Sequence, residues 1–287
     1  MYKVKEEMTL QHFILTRFNI LLWRKDKSGS PVRSREWLEH RFSLFERFCL
    51  PSLMGQTCGV FVWIVLFDSK TPDVFRDRIE KYMEVCPQLV PVFVAPENGR
   101  NFAGIFRDEV RKRISAERVL TTYLDNDDSL HLNFVEDVQR RALGLSDGTV
   151  INYNQGFQFF AEDGYVMRIS YPTNHFVSVV EAADPDDLKT IYGYGSHAYI
   201  HKISGVKIEH VADMPMWCEN IHDRNMANDA YFFIGIRMVK DAQLLRRDFG
   251  LDETVRSGLG LFLFRFLPRY VRTFFVRVKY FFFGRKW

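Results

Sequence analysis

Asp125, Asn126, Asp127 and Asp128 place three carboxylates and an amide in four consecutive positions. They follow Val119, Leu120, Thr122, Tyr123 and Leu124, a β-branched, aromatic and aliphatic run that reads as a short buried strand. Carboxylates this close repel one another unless something positive sits among them. A hard divalent cation meets that need, and Mg²⁺ characteristically bridges a few carboxylates and the phosphates of a substrate. The carboxyl ends of strands in open α/β sheets are also where ligands bind. The same residues read equally well as an ordinary turn that caps the next helix and does no chemistry. An EF-hand is a poor fit, because the sixth position of such a loop would be Leu130 rather than glycine.

Other candidates lie at further strand ends. Arg17 closes the run QHFILTRF and suits a diphosphate or a carboxylate, or is a plain surface arginine. Asp68 closes FVWIVLF; it can hold a nucleobase or ribose, or cap the helix that starts near Pro72. Arg107 and Arg111 are four apart on one helical face, which either meets nucleotide phosphates or is a solvated basic face. Asn174 and His175 lie in a segment that can approach a substrate, and His197 follows a glycine-rich turn. A second concentration spans residues 210–229. There Asp213 reads as the cap of a short helix containing Trp217, with Pro215 in its first turn. Glu219, His222, Asp223, Asn225 and Asn228 follow, and His222 is a candidate metal or phosphate ligand, although a lone histidine usually is not one.

The elements that must position these residues alternate between strand and helix through residues 10–150, which argues an α/β fold. Strands are expected over 11–18, 61–67, 89–95 and 119–124. Helices are expected from Ser34 to about Phe48, over 73–85, 102–116 and 131–143. Pro51 should lie beyond the last turn of the first helix. Residues 23–32 form a polar loop, either a lid or a connection, and a hairpin turns through Glu162, Asp163 and Gly164.

The chain of 287 residues suffices for one large or two small domains, and its net charge of +3 is too mild to imply nucleic acid. Four cysteines without CxxC spacing read as reduced thiols. The charged N-terminus lacks a secretory apolar region, so the protein is expected in the cytoplasm or on the inner face of the cell membrane. Residues 256–287 change character, alternating aromatic and aliphatic clusters with Arg265, Arg269, Arg272, Arg277, Lys279, Arg285 and Lys286. The apolar runs are too short to span a bilayer, and Arg265 and Pro268 should break any long helix. Short amphipathic helices on an anionic membrane surface fit the pattern; docking on the main domain or on a partner is the alternative.

LTRFN (15–19), FCLPSLMGQT (48–57), WIVLFD (63–68), YLDNDDSL (123–130), GSH (195–197) and PMWCENIHDRN (215–225) together resemble the pattern of the putative rhamnosyltransferase-like family of bacterial GT-A glycosyltransferases. The resemblance covers roughly residues 10–230, and YLDNDDSL is similar to the DXD motif of that superfamily. It implies a GT-A, Rossmann-like mixed sheet flanked by helices over residues 1–250. The remainder, residues 251–287, would be an amphipathic helical extension.

The resemblance also implies an activity: metal-dependent transfer of a sugar from a dTDP- or UDP-sugar to a glycan or glycolipid acceptor, with inversion, in surface polysaccharide synthesis. Asp68, Asp125 and Asn126 would contact the nucleotide sugar, assisted by Arg17, Arg107 and His197. Asp127 and Asp128, with His222, would bind Mg²⁺ or Mn²⁺. Asp213 would be the general base, with Glu219 as second choice. A Mg²⁺-dependent phosphohydrolase using the same acids and a non-catalytic, membrane-bound GT-A-like assembly partner are the competing readings.

Overall fold

The computed structural model describes residues 9–23, 32–222 and 234–283. Most of the polar loop (24–31) and Asp223, Asn225 and Asn228 lie outside the described residues. In chain order, β1 (Leu10–Arg17) leads to α1 (Arg35–Leu44), a π-helical turn (Phe45–Cys49) and α2 (Leu50–Met54). Then come β2 (Val62–Asp68), α3 (Asp73–Val85), β3 (Leu89–Val94), α4 (Phe102–Arg111), β4 (Arg118–Tyr123), β5 (Ser129–Leu130) and α5 (Phe134–Leu143). The second half comprises β6 (Thr149–Tyr153), β7 (Gln155–Phe160), β8 (Tyr165–Ser170), β9 (Val177–Ala182), β10 (Lys207–Val211), β11 (Trp217–Ile221) and β12 (Ile234–Met238). It closes with α6 (Leu244–Phe249), α7 (Leu259–Leu261), a second π turn (Phe262–Phe266) and α8 (Leu267–Phe283).

Seven strands form the main sheet in the order β10-β6-β9-β4-β1-β2-β3. β3, β2, β1 and β4 are mutually parallel, and β9 is antiparallel to both β4 and β6. Side chains alternate across β1. Ile14 packs with Phe42, Phe45, Ile79 and Phe134 on one face; Phe13 and Leu15 pack with Phe106 and Val110 of α4 on the other. Burial on both faces is why these strands read as continuous apolar runs. This is the mixed sheet flanked by helices that the resemblance implies, and the C-terminal helical extension is present.

A second sheet, β12-β8-β7-β11-β5, branches off where the chain passes from Tyr153 to Gln155. Gly156 makes the branch possible, because a Cβ there would lie 2.1 Å from the Trp217 ring. Trp217 donates its indole N–H to the Tyr153 carbonyl at 2.7 Å and stacks on Phe176. Residues 217–221 are therefore a strand, paired with β5 and β7, and not the helix that Asp213 and Pro215 suggested. Pro51 does not end the first helix either: it stands in the first turn of α2. Pro268 likewise sits inside an unbroken helical run. α4 ends at Arg111, short of the expected residue 116.

Candidate active site

The parallel strands β1, β2 and β4 all end on one edge of the main sheet, which brings Arg17, Asp68 and the acidic turn together there. The turn is held by main-chain and amide contacts. Asn126 donates its amide to the carbonyls of Arg17 and Phe18, so it serves the backbone. Asn220 of β11 donates its backbone N–H to Asp128 at 2.9 Å and its amide to the Asp127 carbonyl at 2.7 Å. Ser129 donates to the Phe48 carbonyl in the first π turn, and the Cys49 thiol points at the Asp125 carbonyl.

Each carboxylate of the turn then has its own surroundings. Asp125 accepts from the Tyr123 hydroxyl at 2.9 Å and from Arg17 at 3.3 Å. The Arg17 guanidinium lies over the rings of Phe102, Tyr123 and Tyr192. Asp127 accepts from Arg41 of α1 at 2.8 Å and lies 3.1 Å from His222 Nε2. Burial opposes its charge, but Arg41 and His222 outweigh burial and hold its carboxyl below the usual range. Asp128 lies 2.8 Å from His175 Nε2. Burial, with the charges of Asp127 and Glu219, pushes Asp128 up against the His175 hydrogen bond. Burial also opposes charge on His175, but the hydrogen bond to Asp128 and the charges of Asp125 and Glu219 push it up. Both shifts favour protonation, and the Asp128–His175 pair titrates as a unit.

Asp125, Asp128 and His175 each offer a ligand atom, all within 4.8 Å of one another. This differs from the expected set of Asp127, Asp128 and His222. Asp127 faces His222 and Arg41 instead, and its carboxylate is not part of the Asp125–Asp128–His175 group. Two carboxylates and an imidazole suit Mg²⁺ or Mn²⁺ by the chemistry of their donor atoms.

Glu219 of β11 reaches the same pocket. It is buried, accepts from Gln158 at 2.6 Å, and is pushed up by burial against the charge of His175. The His197 ring lies 5.6 Å from that of His175, and burial, with the charge of His175, lowers it to about 4. Asp68 is buried, pairs with Arg33 and accepts from the Lys70 N–H.

Two expected residues stand elsewhere. Asp213 follows β10, the edge strand three places from β4, or about 14 Å across the sheet. Its carboxylate is 69% exposed and pairs with Arg141 at 2.7 Å. Arg107 is half-buried on α4 and pairs with its neighbour Asp108. Conversely, Arg33, Arg41 and Gln158 gave no local signal. Arg41 neighbours Phe42 on an amphipathic helix, where an arginine is ordinary.

A family model described as "Putative rhamnosyl transferase" matches residues 25–232. The chain belongs to this family. As a member of the putative rhamnosyl transferase family, it carries the whole acidic turn, Glu219 and His222 inside the matched region. Solved structures are more distant. S. aureus TarS 1–349 in complex with UDP is 14% identical, with a TM-score of 0.42 over 74% of this chain and 60% of that one. A putative nucleotide-diphospho-sugar transferase from Desulfovibrio desulfuricans G20 is 10% identical, with a TM-score of 0.37 over 75% of this chain and 82% of that one. The chain thus spans less than two thirds of the TarS fragment. No curated protein matches.

Proposed function

We propose that this chain transfers a sugar from a nucleotide-sugar donor to an acceptor hydroxyl, with Mg²⁺ or Mn²⁺ held by Asp125, Asp128 and His175. The observation that carries the reading is the convergence of those three ligand atoms at the carboxyl edge of the sheet, in a member of a glycosyltransferase-like family. The cation, when bound, offsets charge on the nucleoside diphosphate leaving group. Arg17 adds a fixed positive charge beside Asp125, and Asp68 is suited to the nucleoside. Asp127, kept ionised by Arg41 and His222, orients the turn.

Glu219 takes the role of general base in preference to the exposed Asp213. It is buried in the pocket, and its raised pKa brings it nearer neutrality, as proton abstraction requires. A single base activating the acceptor corresponds to one in-line displacement, with inversion at the sugar carbon. The donor is a dTDP- or UDP-sugar, the family description pointing to rhamnose, and the acceptor is a glycan or glycolipid of surface polysaccharide synthesis.

The test is a thermal-shift titration of nucleotide sugars with Mn²⁺ or Mg²⁺ and with chelator, read alongside turnover. A donor at a hundredfold excess over its Kd should add about 2.7 kcal/mol of apparent stability, and chelator should remove the gain. Asp128→Asn should lose the metal-dependent shift. Glu219→Gln should keep it while turnover falls roughly 10²–10⁴-fold. Phosphate release without an acceptor would instead favour a phosphohydrolase. Normal turnover in Glu219→Gln would remove that residue from the chemistry.

A further inference from the structure

We infer that the C-terminal helix lies flat on an anionic lipid bilayer. α7, the second π turn and α8 run from Leu259 to Phe283, about 37 Å at the helical rise. One side of this rod is seated on the protein. Phe266 is buried in the main core, Arg265 pairs with Asp163 at 3.0 Å, and the Arg269 guanidinium stands 4.2 Å from the centre of the Phe160 ring. The other side carries Phe264, Val271, Phe274 and Phe275, all exposed, with Phe264 at 78% and Phe275 at 64%. Nine of the nineteen large hydrophobic side chains left exposed among the described residues fall within 259–275. An apolar surface this concentrated marks an interaction site.

Charge selects the occupant. Residues 254–287 hold eight lysines and arginines and no acid, so the segment is strongly basic even though Arg265 and Arg269 are engaged by the seated side. A second copy would set like charge against like charge. Anionic headgroups complement the basic residues while the acyl boundary takes up the aromatic rings. Among the described residues no helix is long and apolar enough to cross a membrane, so the helix lies in the interface plane. The seated side packs on the β7–β8 hairpin, and Phe160 at its tip pairs with Ile221 of β11. The lipid surface therefore runs beside the sheet that carries Glu219.

The test is flotation of the full-length protein with vesicles of phosphatidylcholine alone, or of phosphatidylcholine with one third phosphatidylglycerol. Binding to the anionic vesicles should be at least about tenfold stronger and should weaken as salt rises. The double variant Phe264→Asp/Phe275→Asp should lose it, with an unchanged melting temperature because both rings are exposed. Equal binding to both vesicles, or flotation of the double variant like the parent, would overturn the inference. So would a dimer in light scattering that the double variant abolishes, since the face would then be a protein interface. Flotation needs no nucleotide sugar, so its outcome is independent of the transferase reading.

Discussion

At the scale of single residues, the balance between burial and nearby partners decides which ionisable groups keep their charge. His12 shows this away from the pocket. It is buried between β1 and α5, where its Nε2 meets the Thr122 hydroxyl at 2.8 Å and the Gln139 amide lies against Nδ1. Gln139 donates there, so Nδ1 accepts and the ring is neutral. Burial lowers this histidine from 6.5 to about 3. The folded state then binds fewer protons than the unfolded state between those values, and stability falls as pH drops below the unfolded pKa. Between pH 7 and pH 5 the loss should be about 2 kcal/mol from this residue. Urea denaturation at the two pH values should register it. His12→Gln should flatten that part of the slope, and an unchanged slope would assign the pH dependence to other groups.

At the scale of elements, two local irregularities have one cause. Leu50 donates its N–H to Phe45 O, and Leu267 donates to Phe262 O, each five residues back. A proline follows at once in both cases. Proline lacks the N–H and crowds the preceding turn of a regular helix; the wider π turn takes up that conflict. Proline content alone therefore suggested helix ends that the packing bridges. β11 is the opposite case. Its partners β7 and β5 lie far away in the chain, so a local reading of Asp213 and Pro215 favoured a helix where pairing makes a strand. Its seat depends on Gly156. Gly156→Ala should drive a methyl into the Trp217 ring and cost about 3 kcal/mol in chemical denaturation. Because β11 carries Glu219 and Asn220, metal-dependent donor binding should weaken with it. Full stability in this variant would mean that the ring moves aside freely.

At the scale of the molecule, the resemblance implies a boundary at residue 250, and two residues just after it pack into the main body. Leu251 and Val255 are buried in the core that joins the second sheet to α6. A chain ended after Gly250 loses both, at about 1.5–3 kcal/mol each. A chain ended after Ser257 keeps them. The shorter form should therefore melt with a stability lower by about 4 kcal/mol. Equal stability of the two would place the true boundary at residue 250 and make the later contacts incidental.

The sequence alone determined that β1, β2 and β4 are buried strands ending in Arg17, Asp68 and the acidic turn, because strand burial and turn chemistry are written in neighbouring residues. It also marked the aromatic, basic tail, which is a matter of composition. Only the tertiary structure decided how the acids divide. His175 reaches Asp128 across 47 positions and His222 reaches Asp127 across 95, while Arg41 arrives from α1. Charge and ligation depend on distances of a few ångströms in space, and spacing along the chain carries no record of those distances when the partners come from different sheets and helices.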